Sequence, residues 1–207
     1  MKARDGVTLN DGGGGVAEEE ALMELTRHGA EINVTKPIAL VGLMGAGKST
    51  IGRRLASVLH VPFLDADVEI VRAAGLSVSE IFERHGECEF RRGERLVIAR
   101  LLNGPPHVLA TGGGAYMDPE TRENMREKAV TVWLKAPLDV LMRRVERRDD
   151  RPLLQNGDAR GTMMRLMEER YPIYSEADIV IETTNGPHHH AVAATLDALR
   201  DYFGARA

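Results

Sequence analysis

A glycine-rich stretch at residues 42–50 has the residue types and spacing of a phosphate-binding loop. It matches the pattern G-x-x-x-x-G-K-[ST], in which the glycines let several backbone N–H groups point at one anion. In such a loop Lys48 reaches the β- and γ-phosphates of a nucleotide, and the Ser49 hydroxyl takes a position on Mg²⁺. The residues that we expect to bind the nucleotide phosphates are Gly45, Ala46, Gly47, Lys48, Ser49 and Thr50.

The segments on either side of this loop are the ones that it requires. Residues 38–41 are a short apolar run typical of a buried strand, and residues 50–59 carry apolar side chains at helical spacing. The loop therefore opens a helix, whose N-terminal dipole favours phosphate. A chance glycine-rich turn is the alternative, and the order of strand, motif and helix argues against it.

Two carboxylates, Asp65 and Asp67, end the next apolar run along the chain. Alternate residues of an extended segment point to the same side, so we expect both carboxylates to face one ligand. Beside a phosphate-binding loop, they suit the water shell of Mg²⁺ and an acceptor hydroxyl. The alternative is that they only cap the following helix.

Two further stretches have the chemistry of an acceptor site. Residues 111–114 read Thr-Gly-Gly-Gly after an apolar run, and residues without a Cβ suit a backbone that must approach a ligand closely. A flexible turn is the alternative. On a predicted helix, Arg91 and Glu94 are three residues apart and can pair, which would make Arg91 a rigid donor for a carboxylate. Such charge runs more often form a solvated surface.

Arginines are concentrated around a charged loop at residues 148–160, which leaves a predicted helix carrying Arg143 and Arg144. A mobile loop with arginines near a γ-phosphate can exclude water and stabilise developing charge. Arg170, near the end of a later helix, is a further cation. These donors suit phosphoryl transfer but do not identify the acceptor. The tract His188-His189-His190 lacks nearby partners for a metal, and we give it no role.

The order of apolar segments predicts an α/β protein with three layers, α/β/α, and a five-stranded parallel sheet. Ligands of such sheets lie outside the carboxyl ends of the strands. We expect one domain at residues 36–207 and a disordered extension at residues 1–35, with a partner-docking helix at 18–28 as the alternative. The predicted strands are 38–41, 61–67, 107–110, 130–134 and 179–181, and the predicted helices are 50–59, 68–74, 79–85, 87–102, 118–127, 137–147, 161–170 and 188–203.

Composition bounds the class of protein. The 207 residues carry a net charge of −4, which gives no electrostatic case for nucleic-acid binding, and a single cysteine excludes an internal disulfide. No apolar run approaches the length of a membrane span, and the N-terminus lacks the apolar region of a secretory signal. We expect a cytoplasmic protein with no nucleic-acid or membrane partner.

Taken together, these motifs closely resemble the shikimate kinase family, small-molecule kinases with the P-loop fold of the nucleoside-monophosphate-kinase type. The resemblance runs from about residue 38 to residue 203. A P-loop alone is generic, whereas all six stretches in this order are specific. The stretches are 42–50, 64–67, 81–91, 111–114, 151–154 and 170–174.

The resemblance implies phosphorylation of the 3-hydroxyl of shikimate with MgATP, on the pathway to chorismate and the aromatic amino acids, by a monomeric enzyme. Asp67 would bind the shikimate hydroxyls and accept the proton. Arg91 and Arg170 would hold the carboxylate, and the shikimate-binding helices would cover about residues 66–103. The backbone that approaches the acceptor would be that of Gly112, Gly113 and Gly114.

The same resemblance assigns the nucleotide side. Lys48 and Arg151, the latter in a lid at about residues 148–160, would stabilise the transferring phosphoryl group. Ser49 would ligate Mg²⁺, with Asp65 behind it through water. The residues that would contact ATP outside the loop are Arg144, Arg151 and Pro187, with Arg144 and Pro187 flanking the adenine.

Two alternatives remain at this point. A related kinase, such as a gluconate kinase, would share the P-loop but should lack the combination of Asp67, Arg91, residues 112–114 and Arg170. A nucleotide-binding regulator without catalysis should have lost Lys48, Asp67 or the lid arginine, and all three are present.

Overall fold

Five parallel strands form one sheet at the centre of the structure. The structure, a computed structural model, describes residues 25–27, 29–146 and 158–204. The strand order is β2-β3-β1-β4-β5, so the chain crosses from one side of β1 to the other between β3 and β4. The strands are β1 (Ile38–Val41), β2 (Phe63–Asp65), β3 (Val108–Ala110), β4 (Val130–Lys135) and β5 (Ile179–Glu182).

Helices connect the strands, as parallel neighbours require. The helices are α1 (Lys48–Val58), α2 (Ala66–Ala74), α3 (Val78–Leu102), α4 (Pro119–Lys128), α5 (Leu138–Val145), α6 (Ala159–Tyr174) and α7 (His188–Gly204), with a short 3₁₀ helix at Ala115–Met117. Within the described residues, none of these helices is both long and apolar enough to cross a bilayer. The arrangement confirms the predicted α/β fold.

The carboxyl ends of three neighbouring strands meet at one edge of the sheet. Leu40 of β1 and Asp65 of β2 both lie opposite Ala110 of β3 in the strand register. The phosphate-binding loop, the acidic turn and the glycine run follow these strands directly. The change of direction in strand order falls beside β1, and crevices at such points bind ligands in open parallel sheets.

The predicted extended geometry at the acidic turn is wrong. Strand β2 stops at Asp65, and the helix begins at Ala66 rather than at residue 68, so Asp67 belongs to the first helical turn. Asp65 has extended backbone angles and accepts a hydrogen bond from the Asp67 N–H at 3.2 Å, as a helix N-cap does. The alternation argument therefore does not apply to this pair.

Two other helices differ from their predicted bounds. The segments predicted at 79–85 and 87–102 form one run, α3, that is interrupted by non-helical backbone at Gly86 (φ 79°, ψ 173°). Helix α6 continues four residues beyond the predicted end and passes through Pro172. Arg170 and Tyr174 consequently lie on the same helix, one turn apart.

Residues just before the first strand pack on the domain. Leu25 and Ile32 are each 8% exposed and belong to the main apolar core. A Cβ on Gly29 would lie 2.6 Å from the Val58 carbonyl oxygen, so this segment crosses the end of α1 at close range. Lys36 Nζ donates to the Tyr202 hydroxyl at 3.2 Å. The predicted extension therefore includes residues that contribute to the core, and its residues 1–24 and 28 lie outside the described residues.

Candidate active site

The phosphate-binding loop has the backbone that its glycines allow. Gly42, Gly45 and Gly47 have φ values of 135°, 81° and 102°, a region that residues with a Cβ rarely adopt. A Cβ on Gly42 would also lie 2.7 Å from the carbonyl oxygen of Leu134 in β4. Gly47 precedes α1, whose first N–H groups have no partner within the helix and point toward the loop. These groups form a site for an anion.

Lys48 is held over this loop by the loop's own backbone. Its Nζ atom donates to the carbonyl oxygens of Gly42 at 2.7 Å and Leu43 at 3.0 Å. The ammonium charge is thereby kept at the mouth of the anion site. This position suits contact with the terminal phosphates of a nucleotide.

Ser49 and Asp65 bring two hard oxygen donors together. The Ser49 hydroxyl donates to Oδ2 of Asp65 at 2.8 Å, while Oδ1 of Asp65 caps α2. Asp65 therefore caps a helix and also contacts the phosphate-binding loop. Hydroxyl and carboxylate oxygens suit Mg²⁺. In the part of the chain that the structure describes, no three His, Cys, Asp or Glu side chains form a metal cluster, so Mg²⁺ would also need phosphate and water ligands.

A cavity of about 240 Å³ is lined by residues of α1, α5, the end of β5 and the start of α7. Arg144 forms part of its wall, where Nη1 donates to the carbonyl oxygens of Gly45 at 3.2 Å and Ala46 at 3.1 Å, and Nη2 donates to that of Thr184. Burial lowers the pKa of this guanidinium. The residues that line the cavity are Ile51, Arg144, Glu182, Thr183, Thr184, Gly186, Pro187, His188, His190 and Ala191.

No role was expected for the histidine tract, yet His188 and His190 line this cavity. Burial lowers the pKa of His188, and the charges of Arg144 and Arg54 lower it further, which favours the neutral ring. Their adjacency to Pro187 in the chain is the signal that could have identified them. The pocket thus offers a flat, uncharged face beside a guanidinium.

The residues predicted to bind the acceptor begin with a buried ion pair. Arg91 Nη1 donates to Oε2 of Glu94 at 2.7 Å, and the guanidinium also contacts the exposed Glu87 at 3.2 Å. Glu94 is only 3% exposed, and burial raises its pKa, although Arg91 partly counters that effect. The predicted pairing of Arg91 with Glu94 is confirmed, and Glu94 is buried rather than part of a solvated charged face.

The glycine run lies between these charges. A Cβ on Gly112 would be 2.6 Å from Oε1 of Glu94 and 3.3 Å from Oδ1 of Asp67, and a Cβ on Gly114 would be 2.8 Å from Nη1 of Arg91. The structure thus brings Asp67, Arg91 and the glycine run together. A side chain at Gly112 or Gly114 would displace the Glu94 carboxylate or the Arg91 guanidinium from its present position.

Gly113, at the centre of the run, links the two halves of the site. A Cβ placed on it would lie 3.5 Å from the backbone N of Met44 in the phosphate-binding loop. Its carbonyl oxygen accepts from Arg170 Nη1 at 2.8 Å and from the Tyr174 hydroxyl. The structure therefore places Arg170 beside the glycine run. Arg151 and most of the predicted lid lie outside the described residues.

The chain is similar to known proteins over most of its length. The family model for shikimate kinase matches residues 44–200. A shikimate kinase of Rhodopseudomonas palustris is 57% identical over 170 residues, 82% of this chain and 84% of the relative. A shikimate kinase of Paramagnetospirillum magneticum is 50% identical over 188 residues, 91% of this chain and 95% of the relative.

The chain belongs to the shikimate kinase family. It is accordingly a kinase that uses ATP to phosphorylate shikimate, a step in the biosynthesis of aromatic amino acids. The longer of the two matches leaves 19 of the 207 residues outside it, so it includes residues that precede β1.

Solved structures of the shikimate kinase family share the fold. The shikimate kinase of Acinetobacter baumannii, solved in complex with shikimate, is 36% identical, with a TM-score of 0.78 over 86% of this chain and 98% of the other. A gluconokinase of Sinorhizobium meliloti is 17% identical, with a TM-score of 0.57 over 84% of this chain and 97% of the other. That likeness extends to the fold alone.

Proposed function

We propose that the chain transfers the γ-phosphoryl group of ATP to the 3-hydroxyl of shikimate, giving shikimate 3-phosphate and ADP. The observation that carries the proposal is the glycine run, which lies against Asp67 and Glu94 at one end and against Arg91 at the other. Gly113, between them, borders the phosphate-binding loop at Met44. An acceptor in this space would meet the terminal phosphate of a nucleotide held by that loop.

The charges of the acceptor half match a small polyol acid. Arg91 and Arg170 supply planar guanidinium donors for its carboxylate, and Asp67 supplies an acceptor for its hydroxyls. We assign to Asp67 the orientation of the attacking hydroxyl and the acceptance of its proton. In phosphoryl transfer the nucleophile needs orienting more than it needs a strong base. The backbone of Gly112, Gly113 and Gly114 approaches the same ligand.

The nucleotide half would bind ATP along α1. The backbone of residues 45–50 holds the phosphates, and Lys48 stabilises charge that develops on the transferring group. The cavity beside Arg144 and Pro187 would take the adenine, with the base against the guanidinium. Arg151 would complete the charge stabilisation from the lid.

Mg²⁺ fits the residues at the junction of the two halves. Ser49 would ligate the ion, and Asp65, which accepts the Ser49 hydrogen bond, would hold its water shell. When bound, Mg²⁺ would neutralise part of the phosphate charge and act as a Lewis acid on the transferring group.

We further propose a monomeric, cytoplasmic enzyme without nucleic-acid or membrane partners. All the residues assigned above can be supplied by one copy of the chain. The net charge of −4 offers no general attraction to nucleic acid. The cytoplasm supplies the ATP that the reaction consumes.

The test is a coupled assay of ADP release with MgATP and shikimate, gluconate or no acceptor. We expect ADP release that depends on shikimate and an equal amount of shikimate 3-phosphate. Turnover with gluconate alone would keep the fold and overturn the acceptor assignment. ATP binding without turnover on either acceptor would favour a regulator.

A further inference from the structure

The carbonyl oxygen of Gly113 is held by two donors from one helix. Arg170 and Tyr174 stand four residues apart on α6, which places their side chains on the same face. Both donate to the Gly113 oxygen, at the centre of the glycine run that faces the acceptor. One of the donors is assigned to the substrate carboxylate, whereas the other has no assigned role.

Tyr174 is built into the core rather than into the open site. It is 0% exposed, and its ring centroid lies 5.9 Å from that of Trp133 and 6.3 Å from that of Tyr116. Burial raises the pKa of its hydroxyl to about 12, so the group remains a donor at any pH at which the enzyme works. The side chain therefore has a fixed position, from which its hydroxyl donates a hydrogen bond to the glycine run.

A hydrogen bond from a fixed side chain matters at residues 112–114 because glycine has the widest backbone freedom of all residues. The peptide unit is planar and trans, so the direction of the Gly113 carbonyl also sets the direction of the Gly114 N–H. Three glycines in succession would otherwise sample many orientations, and ordering them on binding would cost free energy. The hydrogen bond from the Tyr174 hydroxyl to the Gly113 carbonyl restricts these orientations in the free enzyme, so less free energy is lost when the substrate binds.

We propose that Tyr174 is a positioning residue for the acceptor. Its hydroxyl holds the Gly113 carbonyl, and thereby orients the Gly114 N–H and the Arg170 guanidinium toward the substrate. This inference rests on the proposed placement of shikimate against Arg170 and the glycine run. Tyr174 itself is separated from the acceptor by the Gly113 peptide that it holds.

The same helix provides a matched control in Tyr171. Its hydroxyl also donates to a backbone carbonyl, that of Ala136, at 2.7 Å, and burial also raises its pKa. Its ring packs edge-on against Trp133 at 4.9 Å. Ala136 follows β4 and is not part of the glycine run. Removing either hydroxyl therefore deletes one similar hydrogen bond, and only one of the two bonds holds the acceptor loop.

The experiment compares Tyr174→Phe and Tyr171→Phe with the unmodified enzyme. We expect Tyr174→Phe to raise the KM for shikimate roughly fivefold to tenfold, the usual effect of one lost hydrogen bond, with the KM for ATP within about twofold. Tyr171→Phe should leave both KM values within about twofold. Fluorescence of Trp133, the single tryptophan, reports the integrity of the aromatic cluster in each variant.

Several outcomes would overturn the inference. An unchanged shikimate KM in Tyr174→Phe would do so, as would equal rises in both variants or a parallel rise in the KM for ATP. If the unmodified enzyme shows no shikimate-dependent turnover, the proposed function fails, and that result is distinct from these.

A second measurement needs no substitution. Backbone NMR order parameters of residues 112–114 in the unmodified enzyme should be as high as those of the rigid strands before shikimate is added, because the loop is already held. Low order parameters that rise only with shikimate would overturn the inference even if Tyr174→Phe failed to fold.

Discussion

The two halves of the site are built in different ways. The phosphate half comes from one contiguous stretch, residues 42–50, and it presents mainly backbone groups. The proposed acceptor half is assembled from Asp67 on α2, Arg91 on α3, the loop after β3, and Arg170 on α6. Backbone donors recognise any phosphate, whereas the spacing of separate side chains recognises one acceptor.

This difference between the two halves explains why some related proteins share only the fold and others share the family. The gluconokinase, at 17% identity, retains the fold, and the shikimate kinase of Rhodopseudomonas palustris, at 57%, shares the family. A fold can host several acceptors, because the acceptor is chosen by side chains placed on it. We therefore expect substitutions in the two halves to separate turnover from acceptor binding.

The largest effect is expected from Lys48→Ala in the phosphate half. Loss of this charge removes stabilisation from the transition state, so kcat should fall by roughly 10²–10³ or more. The KM for shikimate should change little. Lys36→Ala is the control, since Lys36 contacts Tyr202 instead. A kcat near that of the unmodified enzyme would contradict the assigned role.

A separate effect on the acceptor is expected from Arg91→Ala. Loss of a charged bidentate donor should raise the KM for shikimate by roughly 10–100-fold and leave the KM for ATP within about twofold. Arg92→Ala is the matched control, because the neighbouring side chain is 66% exposed and pairs only with Glu89 among described contacts. If only the affinity for ATP falls in Arg91→Ala, the assignment of Arg91 to the acceptor half is wrong.

Gly112→Ala tests whether the acceptor half depends on the close approach of the backbone. The added methyl would lie 2.6 Å from Oε1 of Glu94, so we expect a loss of about 1–3 kcal/mol in unfolding free energy and a higher KM for shikimate. Gly93→Ala is the control. It lies within α3, where the added Cβ would have no neighbour within 4 Å beyond the adjoining residues and backbone of its own helix, and the change should stabilise the enzyme by about 0.5–1 kcal/mol. Thermal unfolding and enzyme kinetics are measured for both variants. Equal stabilities of Gly112→Ala and Gly93→Ala would contradict the expected clash with Glu94.

The smallest expected effect concerns the pH dependence of stability. Because burial raises the pKa of Glu94 in the folded state above its ordinary value of 4.5, its favourable contribution is complete below that value. The contribution is lost as pH rises through the folded pKa. Glu94→Gln should flatten this part of the stability profile, measured by denaturant unfolding from pH 4 to pH 8. Glu87→Gln removes the exposed partner of the same arginine, and an equal flattening there would refute the assignment to burial.

The same contrast governs what could be predicted from the sequence. The phosphate half is local, so nine consecutive residues and their flanking periodicity were enough to predict it. In the proposed acceptor half, the pairing of Arg91 with Glu94 was predictable because the two residues are three positions apart, whereas the contact of Arg170 with the glycine run was not. The tether from Tyr174 to Gly113 joins residues 61 positions apart, and no short-range pattern indicates it.

Two local errors have equally physical causes. Asp67 was taken as part of a strand because acidic residues at strand ends and helix starts look alike in sequence, and the cap at Asp65 decides between them. Helix α6 was ended too early because Pro172 usually stops a helix. Here Tyr171 and Tyr174 anchor the turn around that proline to the carbonyl groups of Ala136 and Gly113.

The burial of Leu25 and Ile32 has a consequence for anyone who shortens this protein. The family match begins at residue 44, which lies beyond the central strand β1, and the predicted domain begins at residue 36. A recombinant fragment started at either position would leave apolar surface around the end of α1 uncovered. The smallest piece suited to expression and crystallisation therefore starts upstream of Leu25, well outside the stretch that defines the family.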